Sequence, residues 1–563
     1  MAGEPVNNTS RAGWLLLGIA ACIGAWQAFA MRWLCDDAFI TYRYAVNLAE
    51  GLGLVFNAEE RVEGYSNFTW TLLCAAAAKM GRDPVAFSQH AGIACFVLCG
   101  LALAWAGRRL LPGRGALPVA ATCFLLHHHS QSFSTCGLET ALFQLCTVVL
   151  VGIVGGATSP RAWAAAGAVA AFTAMTRPDG AILAALAASA AAWQAWRSRS
   201  LAPFAAYAIP SLALFGSFLA WRYGYYGDFV PNTFHAKSAG DAYASQGLRY
   251  VALYLEAYWV LVPAVVGTVF LLLAPRAARG PAGATEPQPW TWRWLAAVIL
   301  AYGAFVVWVG GDFMFARFLL PVTPLLYLVV ELLARRWLAP VGQGATLAVF
   351  AAATLGWSEH EEMRGLHREL DGVTEEREQY PRDKVAAERA LARRVREALG
   401  PEGARVVFFG SQAMFVHEAR FPYALEGAAG LTDRTLATME LPERGRIGHE
   451  KSILMRPEYL FERRVQLWLG PRWGEVEPWR QARLFGMPVL LVHWDQGLMD
   501  RMKAVDGIEF TDIRTVIDQW VAGAGGRDRA ALQAEFEAFQ RFYFLWNQDP
   551  QRLAAAQRVL AGG

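Results

Sequence analysis

The chain has 563 residues, of which 55% are hydrophobic and 18% charged, and its mean hydropathy is +0.25. This length exceeds one ordinary domain, and the clustering of the apolar residues indicates a membrane protein. The net charge of +3 and the lack of a basic tract with interleaved aromatic residues argue against a nucleic-acid partner. All eight cysteines lie between Cys22 and Cys146 without CxxC spacing, which argues against a disulfide framework or a zinc site.

The first apolar run extends from Trp14 to Trp33 and is long enough to cross a bilayer. Ala28-Phe29-Ala30 loosely resembles a signal-peptide cleavage site. The many apolar runs that follow favour an uncleaved anchor. Both alternatives place the next residues outside the cytoplasm.

An adjacent acidic pair, Asp36 and Asp37, follows this run. The next residues predict an amphipathic helix on the membrane surface, with an apolar side formed by Phe39, Tyr42, Ala45, Val46 and Ala49. The opposite side carries Thr41, Arg43 and Asn47. The two carboxylates are either an N-cap favoured by the helix dipole or a general base beside the bilayer.

Ten further spans are predicted, at residues 85–106, 114–130, 139–156, 161–176, 178–196, 202–222, 250–274, 293–310, 316–335 and 339–356. Trp70 to Met80 is too short to cross and is expected to be a second surface helix or a re-entrant segment. With the first run, these spans predict a membrane domain of eleven helices.

The charges of the loops predict the orientation of the chain. If the N-terminus is cytoplasmic, every inner loop carries arginine, namely Arg108, Arg109, Arg114, Arg161, Arg197, Arg199, Arg276, Arg279, Arg293, Arg335 and Arg336. The outer loops carry Asp36, Asp37, Glu139, Asp179, Asp228 and Asp312. Eleven spans then place the C-terminal region outside.

The composition changes beyond Trp357, where residues 358–400 become rich in Glu and Arg. Strands are predicted at Ala404 to Gly410 and at Pro488 to Trp494, and helix returns from about Ala530 to Leu560. We therefore expect two domains. Residues 1–356 form the membrane domain, with a first outer loop at 34–84, and residues 357–563 form a soluble α/β or α+β domain outside.

Polar residues in or near a bilayer carry a free-energy cost, and here they recur at the predicted outer ends of spans. They are Glu139, Arg177, Asp179, Asn232, His235, Lys237, Asp312 and Arg317. Each has an ordinary alternative, such as a turn-stabilising pair, a helix cap or a snorkelling lysine. Together they predict a polar outer cavity in which Lys237, Arg317 and Arg177 neutralise a phosphate.

Two other patterns are weaker indications. Consecutive histidines, His127 to His129, cannot all face one metal from a helix, and Asn67-Phe68-Thr69 is a weak match to a glycosylation site. No P-loop, GxSxG or dinucleotide fingerprint is present in the sequence. Cytosolic nucleotide chemistry is therefore disfavoured, and we expect no metal.

The segment DDAFITYRYAVNLAEGLGLVFN, followed by RVEGYSNFTW, resembles the first outer loop of GT-C membrane glycosyltransferases. It is most similar to that of bacterial terminal β-(1→2) arabinofuranosyltransferases. GLETALF, TRPDG, GDFVPNTFHAKS, GGDFMFARFLLP, GLTDR and GRIGHEK also resemble this family's loops, in the same order. The resemblance covers about residues 13–455, and the sequence departs from it in the histidine triplet and in Phe315.

The resemblance implies a polyprenyl-phosphate-linked sugar donor, decaprenyl-phosphoryl arabinofuranose, and a glycan acceptor outside the bacterial cytoplasmic membrane. It implies inversion at the anomeric carbon, with Asp36 or Asp37 as the base and lipid phosphate as the leaving group. Neighbouring residues of a helix point about 100° apart, so only one of the two can face the acceptor hydroxyl. We favour Asp36.

The resemblance also suggests roles for other residues. Glu63, Glu139, Asp179 and Asp312 become candidates for sugar hydroxyls or for supporting roles, and Lys237 and Arg317 for the donor phosphate. Arg43, Asn232 and His235 are further binding candidates, and His449 and Lys451 would reach the cavity from the outer domain.

Three alternatives stay open at this stage. The first keeps the GT-C fold but transfers another lipid-linked sugar, such as mannose or aminoarabinose, to lipopolysaccharide, protein or pilin. The second is a transporter, whose polar residues should lie near the bilayer midplane. The third is a glycan-binding scaffold, which leaves the acidic pair without a role.

Overall fold

The computed structural model describes residues 11–111, 117–237, 242–273, 289–410, 412–440, 451–470 and 476–562. The chain forms two compact units. Unit 1 comprises Met1–Gly51 and Tyr65–Arg382, and unit 2 comprises Leu52–Gly64 and Asp383–Gly563.

Unit 1 is helical. Its α-helices are α1 (Arg11–Ala30), α2 (Asp37–Ala49), α3 (Phe68–Lys79), α4 (Pro84–Leu110), α5 (Val119–Leu125), α6 (His128–Phe133), α7 (Thr140–Gly155), α8 (Pro160–Thr176), α9 (Gly180–Ser198), α10 (Ala202–Ser211), α11 (Ser217–Tyr226), α12 (Asn232–Ala236), α13 (Ala244–Ala257), α14 (Val262–Leu273), α15 (Pro289–Val309), α16 (Thr323–Trp337) and α17 (Pro340–Leu355). A π-helical turn, Leu212–Gly216, joins α10 to α11.

Local sequence determines where several of these helices begin. Asp83 precedes α4 and accepts a hydrogen bond from the backbone N–H of Val85 at 3.0 Å, and Pro84 occupies the first helical position. Ser159 caps α8 in the same way and is also followed by proline. Both arrangements satisfy backbone donors that a helix start leaves without partners.

Four helices are long and apolar enough to cross a membrane: Arg11–Ala30, Pro84–Leu110, Ala202–Tyr226 and Trp290–Val309. A fifth candidate is the pair Ala244–Ala257 and Trp259–Leu273, which bends by 101° at its break. Thr140–Gly155 and Pro340–Leu355 are shorter apolar helices. The predicted membrane helical class is therefore supported, whereas the count of eleven spans is not confirmed.

The predicted span at 114–130 is not one helix. It is divided between α5 and α6, because His127 has extended backbone angles and its Nδ1 accepts a hydrogen bond from the backbone N–H of Ser130 at 3.1 Å. The side chain thus caps α6 and ends the preceding helix.

The predicted span at 316–335 also differs, since α16 begins at Thr323. Gly310 and Gly311 have positive φ angles, and so does Ala316, at 67°. A left-handed alanine is strained and interrupts a helix. The residues from 310 to 322 are therefore a structured loop.

Unit 2 is built on a mixed six-stranded sheet in the order β2-β1-β3-β5-β4-β6. The strands are β1 (Arg405–Phe408), β2 (Tyr423–Glu426), β3 (Leu467–Leu469), β4 (Gln481–Leu484), β5 (Met487–Leu491) and β6 (Ile508–Phe510). β1 pairs in parallel with β2 and β3, and the remaining pairs are antiparallel. Its longer helices are α18 (Arg382–Leu399), α19 (Ala413–Ala419), α20 (Arg434–Ala437), α21 (Tyr459–Glu462), α22 (Gln496–Lys503), α23 (Ile513–Ala522), α24 (Arg529–Phe539) and α25 (Pro550–Ala561).

Residues 52–64, from the middle of the predicted first outer loop, pack within unit 2. The side chain of Asn57 exchanges two hydrogen bonds with the backbone of Ala424, at 2.9 and 3.0 Å. Glu60 pairs with Arg463. The segment therefore lies along the β2 edge of the sheet.

The chain divides by packing at residue 382, because residues 357–382 pack within unit 1. The domain boundary predicted from the sequence, at residue 356, coincides with the change in composition and not with this division in packing. Assignment of the two domains to the membrane and to the outer side stays a prediction.

Candidate active site

Asp36 occupies the N-cap position of α2, yet its side chain makes no capping hydrogen bond. Its backbone is already helical and the residue is only 3% exposed, whereas Asp37 is half-buried. A carboxylate that merely caps a helix would accept a hydrogen bond from the first turn. The geometry at Asp36 therefore does not support the capping alternative.

Helix α2 packs against the loop that precedes α7. Gly137 has φ of +94°, and a Cβ at this position would lie 2.3 Å from the hydroxyl of Tyr42. The carbonyl of Gly137 accepts a hydrogen bond from the Trp70 indole at 2.8 Å, and Tyr42 also bonds to Ser88 at 2.6 Å. Only glycine fits this approach, and the contacts hold α2 against the loop that leads to Glu139.

Glu139 is the centre of a buried polar cluster and is 2% exposed. Its Oε2 accepts a hydrogen bond from the Asn67 amide at 2.8 Å. Its Oε1 lies 3.9 Å from Arg177 Nε and 3.8 Å from Arg317 Nη2. One carboxylate thus connects two arginines that are far apart in sequence.

Arg177 and Asp179 lie in the tight turn between α8 and α9. Arg177 Nε donates to Asp179 Oδ1 at 3.0 Å, and Asp179 Oδ2 accepts a short hydrogen bond from the Tyr302 hydroxyl on α15. The Arg177 guanidinium also lies near the ring of Phe143, 5.0 Å from its centroid. The predicted turn pair is therefore present, and it is joined to the buried cluster.

Arg317 and Asp312 lie in the loop before α16, where Arg317 Nη1 is 3.3 Å from Asp312 Oδ2. This loop is held by residues 370–376. The backbone N–H of Thr374 donates to the carbonyl of Phe313 at 2.8 Å, and the N–H of Phe315 donates to the carbonyl of Thr374 at 2.9 Å. Three separate loops therefore bring together Glu139, Arg177, Asp179, Asp312 and Arg317.

The cluster holds two guanidinium groups against the three carboxylates of Glu139, Asp179 and Asp312. Burial alone would lower the pKa of Arg177 and Arg317. The neighbouring carboxylates together have the larger effect, so the pKa of both arginines is raised. Both side chains therefore stay charged. Arg177 Nη1 and Arg317 Nε are buried and have no hydrogen-bond partner within the described chain.

The acidic pair adjoins this cluster on one side and an aromatic side chain on the other. Asp37 is among the carboxylates that raise the pKa of Arg317. Burial raises the pKa of Tyr380, and so does the charge of Asp36. Asp37 is thus electrostatically coupled to Arg317, and both Asp36 and Asp37 are coupled to Tyr380.

The loop after α11 forms a separate group in unit 1. His235 Nε2 lies 3.0 Å from Asp228 Oδ2, and Asn232 is buried at the start of α12. Lys237 is half-buried and makes no ion pair with any described residue.

The remaining predicted site residues are placed differently. Arg43 is buried within α2. Glu63 is buried in the segment that packs in unit 2, and Lys451, also in unit 2, donates a hydrogen bond to the carbonyl of Ala437. His449 lies outside the described residues. Roles for these residues toward a substrate stay predictions.

The histidine triplet packs among aromatic side chains. His129 Nε2 lies 2.8 Å from Glu375 Oε2, its Nδ1 lies 2.7 Å from the Tyr258 hydroxyl, and His128 stacks on Trp357. Among the residues that the structure describes, no group of three or more His, Cys, Asp or Glu side chains is arranged to hold a metal ion.

Three members of the site were not predicted: Asn67, Tyr302 and Tyr380. The sequence indicates Asn67 only as a weak match to a glycosylation site. Its position in the RVEGYSNFTW segment, which carries the family resemblance, is a signal that could have identified it. It also bonds to Thr41 at 3.1 Å, which places a polar residue of α2 in the cluster. Tyr302 and Tyr380 gave no sequence signal.

Comparison with known proteins confirms the resemblance. The chain is 30% identical over 368 residues to a terminal β-(1→2)-arabinofuranosyltransferase of Mycobacterium tuberculosis, a match that covers 58% of this chain and 55% of the relative. It is 28% identical over 380 residues to the protein of the same name from Corynebacterium glutamicum, covering 60% of this chain and 53% of the relative. The chain thus spans about half the length of the curated relatives it matches. No family model matches the chain.

The fold is similar to that of ArnT from Cupriavidus metallidurans, whose crystal structure was determined bound to undecaprenyl phosphate. The TM-score is 0.53 at 12% sequence identity, and the match covers 75% of this chain and 88% of that chain. At this identity the similarity concerns the fold alone.

Proposed function

We propose that the chain is an inverting glycosyltransferase that moves arabinofuranose from a polyprenyl-phosphate donor to a glycan acceptor outside the cytoplasm. The observation that carries the proposal is the acidic pair beside a buried charged cluster, in a chain similar to two arabinofuranosyltransferases. The likeness in fold to a protein that bound undecaprenyl phosphate supports a lipid of this class as the carrier.

In the proposed reaction, an acceptor hydroxyl oxygen bonds to the anomeric carbon while the bond from that carbon to the phosphate oxygen breaks. The hydroxyl proton passes to a carboxylate, and polyprenyl phosphate leaves with the electron pair of the broken bond. Attack from the face opposite the phosphate inverts the anomeric carbon. A positioned carboxylate base contributes about 10²–10⁴-fold to such a step.

We assign the base to Asp36. It is buried at the start of α2, deeper than Asp37, and its charge acts on Tyr380. Asp37, coupled to Arg317, is assigned to the sugar side together with Glu139, Asp179 and Asp312. Lys237, which makes no ion pair with any described residue, is assigned to the donor phosphate.

The proposed location is the bacterial cytoplasmic membrane, crossed by eleven spans, with a cytoplasmic N-terminus and the site outside. The charged residues of the cluster lie in loops at helix ends, or at the first residue of a helix. A transporter would place such residues near the middle of broken helices. This favours a transferase.

The proposal is tested with the full-length protein in nanodiscs, supplied with labelled decaprenyl-phosphoryl arabinofuranose and an arabinan oligosaccharide. We expect transfer with a β-linked product by NMR, and no transfer from the matched mannose donor. If only mannose or aminoarabinose were transferred efficiently, that sugar would be the donor sugar in place of arabinofuranose. Absence of transfer from every lipid-linked sugar, by protein that remains folded, would overturn the proposal.

A further inference from the structure

A cavity of about 660 Å³ in unit 1 lies between the end of α1 and residues 365–382. Its lining includes Trp33, three arginines and one glutamate, which are Arg32, Arg377, Arg382 and Glu378. Tyr380 also lines it, stacked on Trp33 at a centroid distance of 6.3 Å. None of these residues belongs to the Glu139 cluster.

The cavity carries three positive charges against one negative charge. Its three arginines make no ion pair with any described residue. Arg177 and Arg317 differ, because each is paired with carboxylates. The cavity therefore has a net positive charge, whereas the guanidinium groups of the cluster are paired with carboxylates.

Backbone contacts fix two of these guanidinium groups without neutralising them. Arg382 Nε donates to the carbonyl of Arg32 at 3.1 Å, and Arg32 Nη1 donates to the carbonyl of Phe29 at 3.0 Å. The side chain of Arg377 makes no hydrogen bond with the described residues. A guanidinium has five N–H donors, so donors remain for a carboxylate or phosphate.

The cavity adjoins the proposed base. Trp33 precedes Asp36 by three residues, and Tyr380, which lines the cavity, is electrostatically coupled to Asp36. In an inverting displacement the base contacts the attacking hydroxyl, whereas the phosphate departs from the opposite face of the sugar. A cavity beside the base therefore lies on the acceptor side.

We propose that this cavity binds an acidic group of the acceptor, so that a glycan bearing a carboxylate or phosphate is preferred over the same glycan without it. The inference rests on the proposed function, because it takes Asp36 as the base. Arg32, Arg377 and Arg382 bind the carboxylate or phosphate of the glycan, and the rings of Trp33 and Tyr380 that line the cavity contact its sugar rings.

Binding is measured with the full-length protein in nanodiscs of neutral lipid, with tetragalacturonate and its carboxyl-reduced, neutral counterpart as probes. We expect tetragalacturonate to bind about tenfold more tightly than the neutral form, with an affinity that falls as salt is added. Arg377→Gln should lose this preference. It removes charge without removing a hydrogen bond within the described chain, so it leaves the fold intact.

Arg364→Gln is the matched control, because Arg364 lies in the same segment, outside the cavity lining, and pairs with Glu359. It should bind tetragalacturonate as the wild type does. Equal binding of the charged and neutral probes, or unchanged binding by Arg377→Gln, would overturn the inference. So would Arg377-dependent binding of phosphatidylglycerol or of polyprenyl phosphate without binding of tetragalacturonate, since the cavity would then hold a lipid phosphate.

The two proposals fail separately. Arg377-dependent binding of tetragalacturonate by a protein that transfers no sugar would keep the anion site and remove the transferase. Transfer to neutral acceptors only, at a rate that Arg377→Gln leaves unchanged, would keep the transferase and remove the anion site.

Discussion

At the scale of single residues, Glu139 does most to hold the candidate site together. Its two oxygens face the Asn67 amide and two guanidinium groups, all of them buried. Buried charges are tolerated when they are paired, and removal of one partner leaves the others desolvated without compensation.

Glu139→Gln keeps a hydrogen-bond acceptor for Asn67 but removes the negative charge between Arg177 and Arg317. We expect it to destabilise the protein by about 3 kcal/mol, because two buried cations lose a shared partner. The measurement is the unfolding free energy in detergent. Glu362→Gln, an exposed residue of the same unit, should change stability by less than about 0.5 kcal/mol. Equal stability of the two variants would show that Asp179 and Asp312 alone satisfy the arginines.

A second residue-scale feature lies in unit 2. His493 is buried, stacks on Trp546 at 4.0 Å, and its Nδ1 bonds to the carbonyl of Val465 at 2.8 Å. Burial lowers the pKa of His493 to about 4, although the Val465 contact opposes the shift. The imidazole is therefore neutral in the folded unit at neutral pH.

The pKa of this histidine is near 6.5 in the unfolded chain. Between about pH 6.5 and 4, the unfolded state is therefore protonated at His493 while the folded state is not. Stability should be constant above pH 6.5 and fall by up to about 3 kcal/mol toward pH 4. Hydrogen exchange of β5 in the full chain should report this loss, and His493→Gln should lessen it. Equal pH slopes for the two proteins would contradict the assignment.

At the scale of elements, the helices of unit 1 approach one another at glycines. A Cβ at Gly92 of α4 would lie 1.9 Å from the carbonyl oxygen of Ser134, and one at Gly24 of α1 would lie 2.4 Å from that of Leu125. Small residues allow such close approach of backbones in membrane helices.

Gly92→Ala should therefore destabilise unit 1 by about 1–3 kcal/mol, because the clash is with backbone and no side chain can move aside. Gly18→Ala is the matched control, since nothing lies within 4 Å of that position and alanine favours a helix. Thermal unfolding in detergent compares the two. If both variants unfolded at the same temperature as the wild type, the close packing of α4 against Ser134 would be contradicted.

Hydropathy and charge predicted much at this scale, and local contacts explain the differences. The strands predicted at 404–410 and 488–494 are present as β1 and β5, because both are short apolar runs bounded by turns. The break between α5 and α6 depends on a side-chain cap by His127, and the late start of α16 on the left-handed Ala316. Neither effect is visible in an average over apolar residues.

At the scale of the whole molecule, the site was predictable where it depends on helix ends. Alternation of spans predicts Asp36, Glu139, Asp179 and Asp312 on one side, and the three loops that carry Glu139, Asp179 and Asp312 do meet. Asn67 and Tyr380 were missed because their partners are distant in sequence. The placement of residues 52–64 in unit 2 likewise rests on pairs such as Glu59 with Arg405, which are 346 residues apart.

The orientation of the chain gives a further prediction. A cysteine placed at exposed Glu362 should react with a membrane-impermeant maleimide in intact cells, whereas one at exposed Arg199 should react only after permeabilisation. A background without Cys22, the one exposed cysteine of the described chain, removes competing reaction. The reverse pattern of labelling would invert the proposed topology and place the site in the cytoplasm.

The most direct test of the account concerns the acidic pair. Asp36→Asn and Asp37→Asn should both retain binding of decaprenyl-phosphoryl arabinofuranose, measured separately from transfer. Loss of the base predicts that Asp36→Asn transfers at least about 10²-fold more slowly, with a smaller loss for Asp37→Asn. Wild-type transfer by both variants would contradict the proposed base chemistry and return the two carboxylates to a structural role.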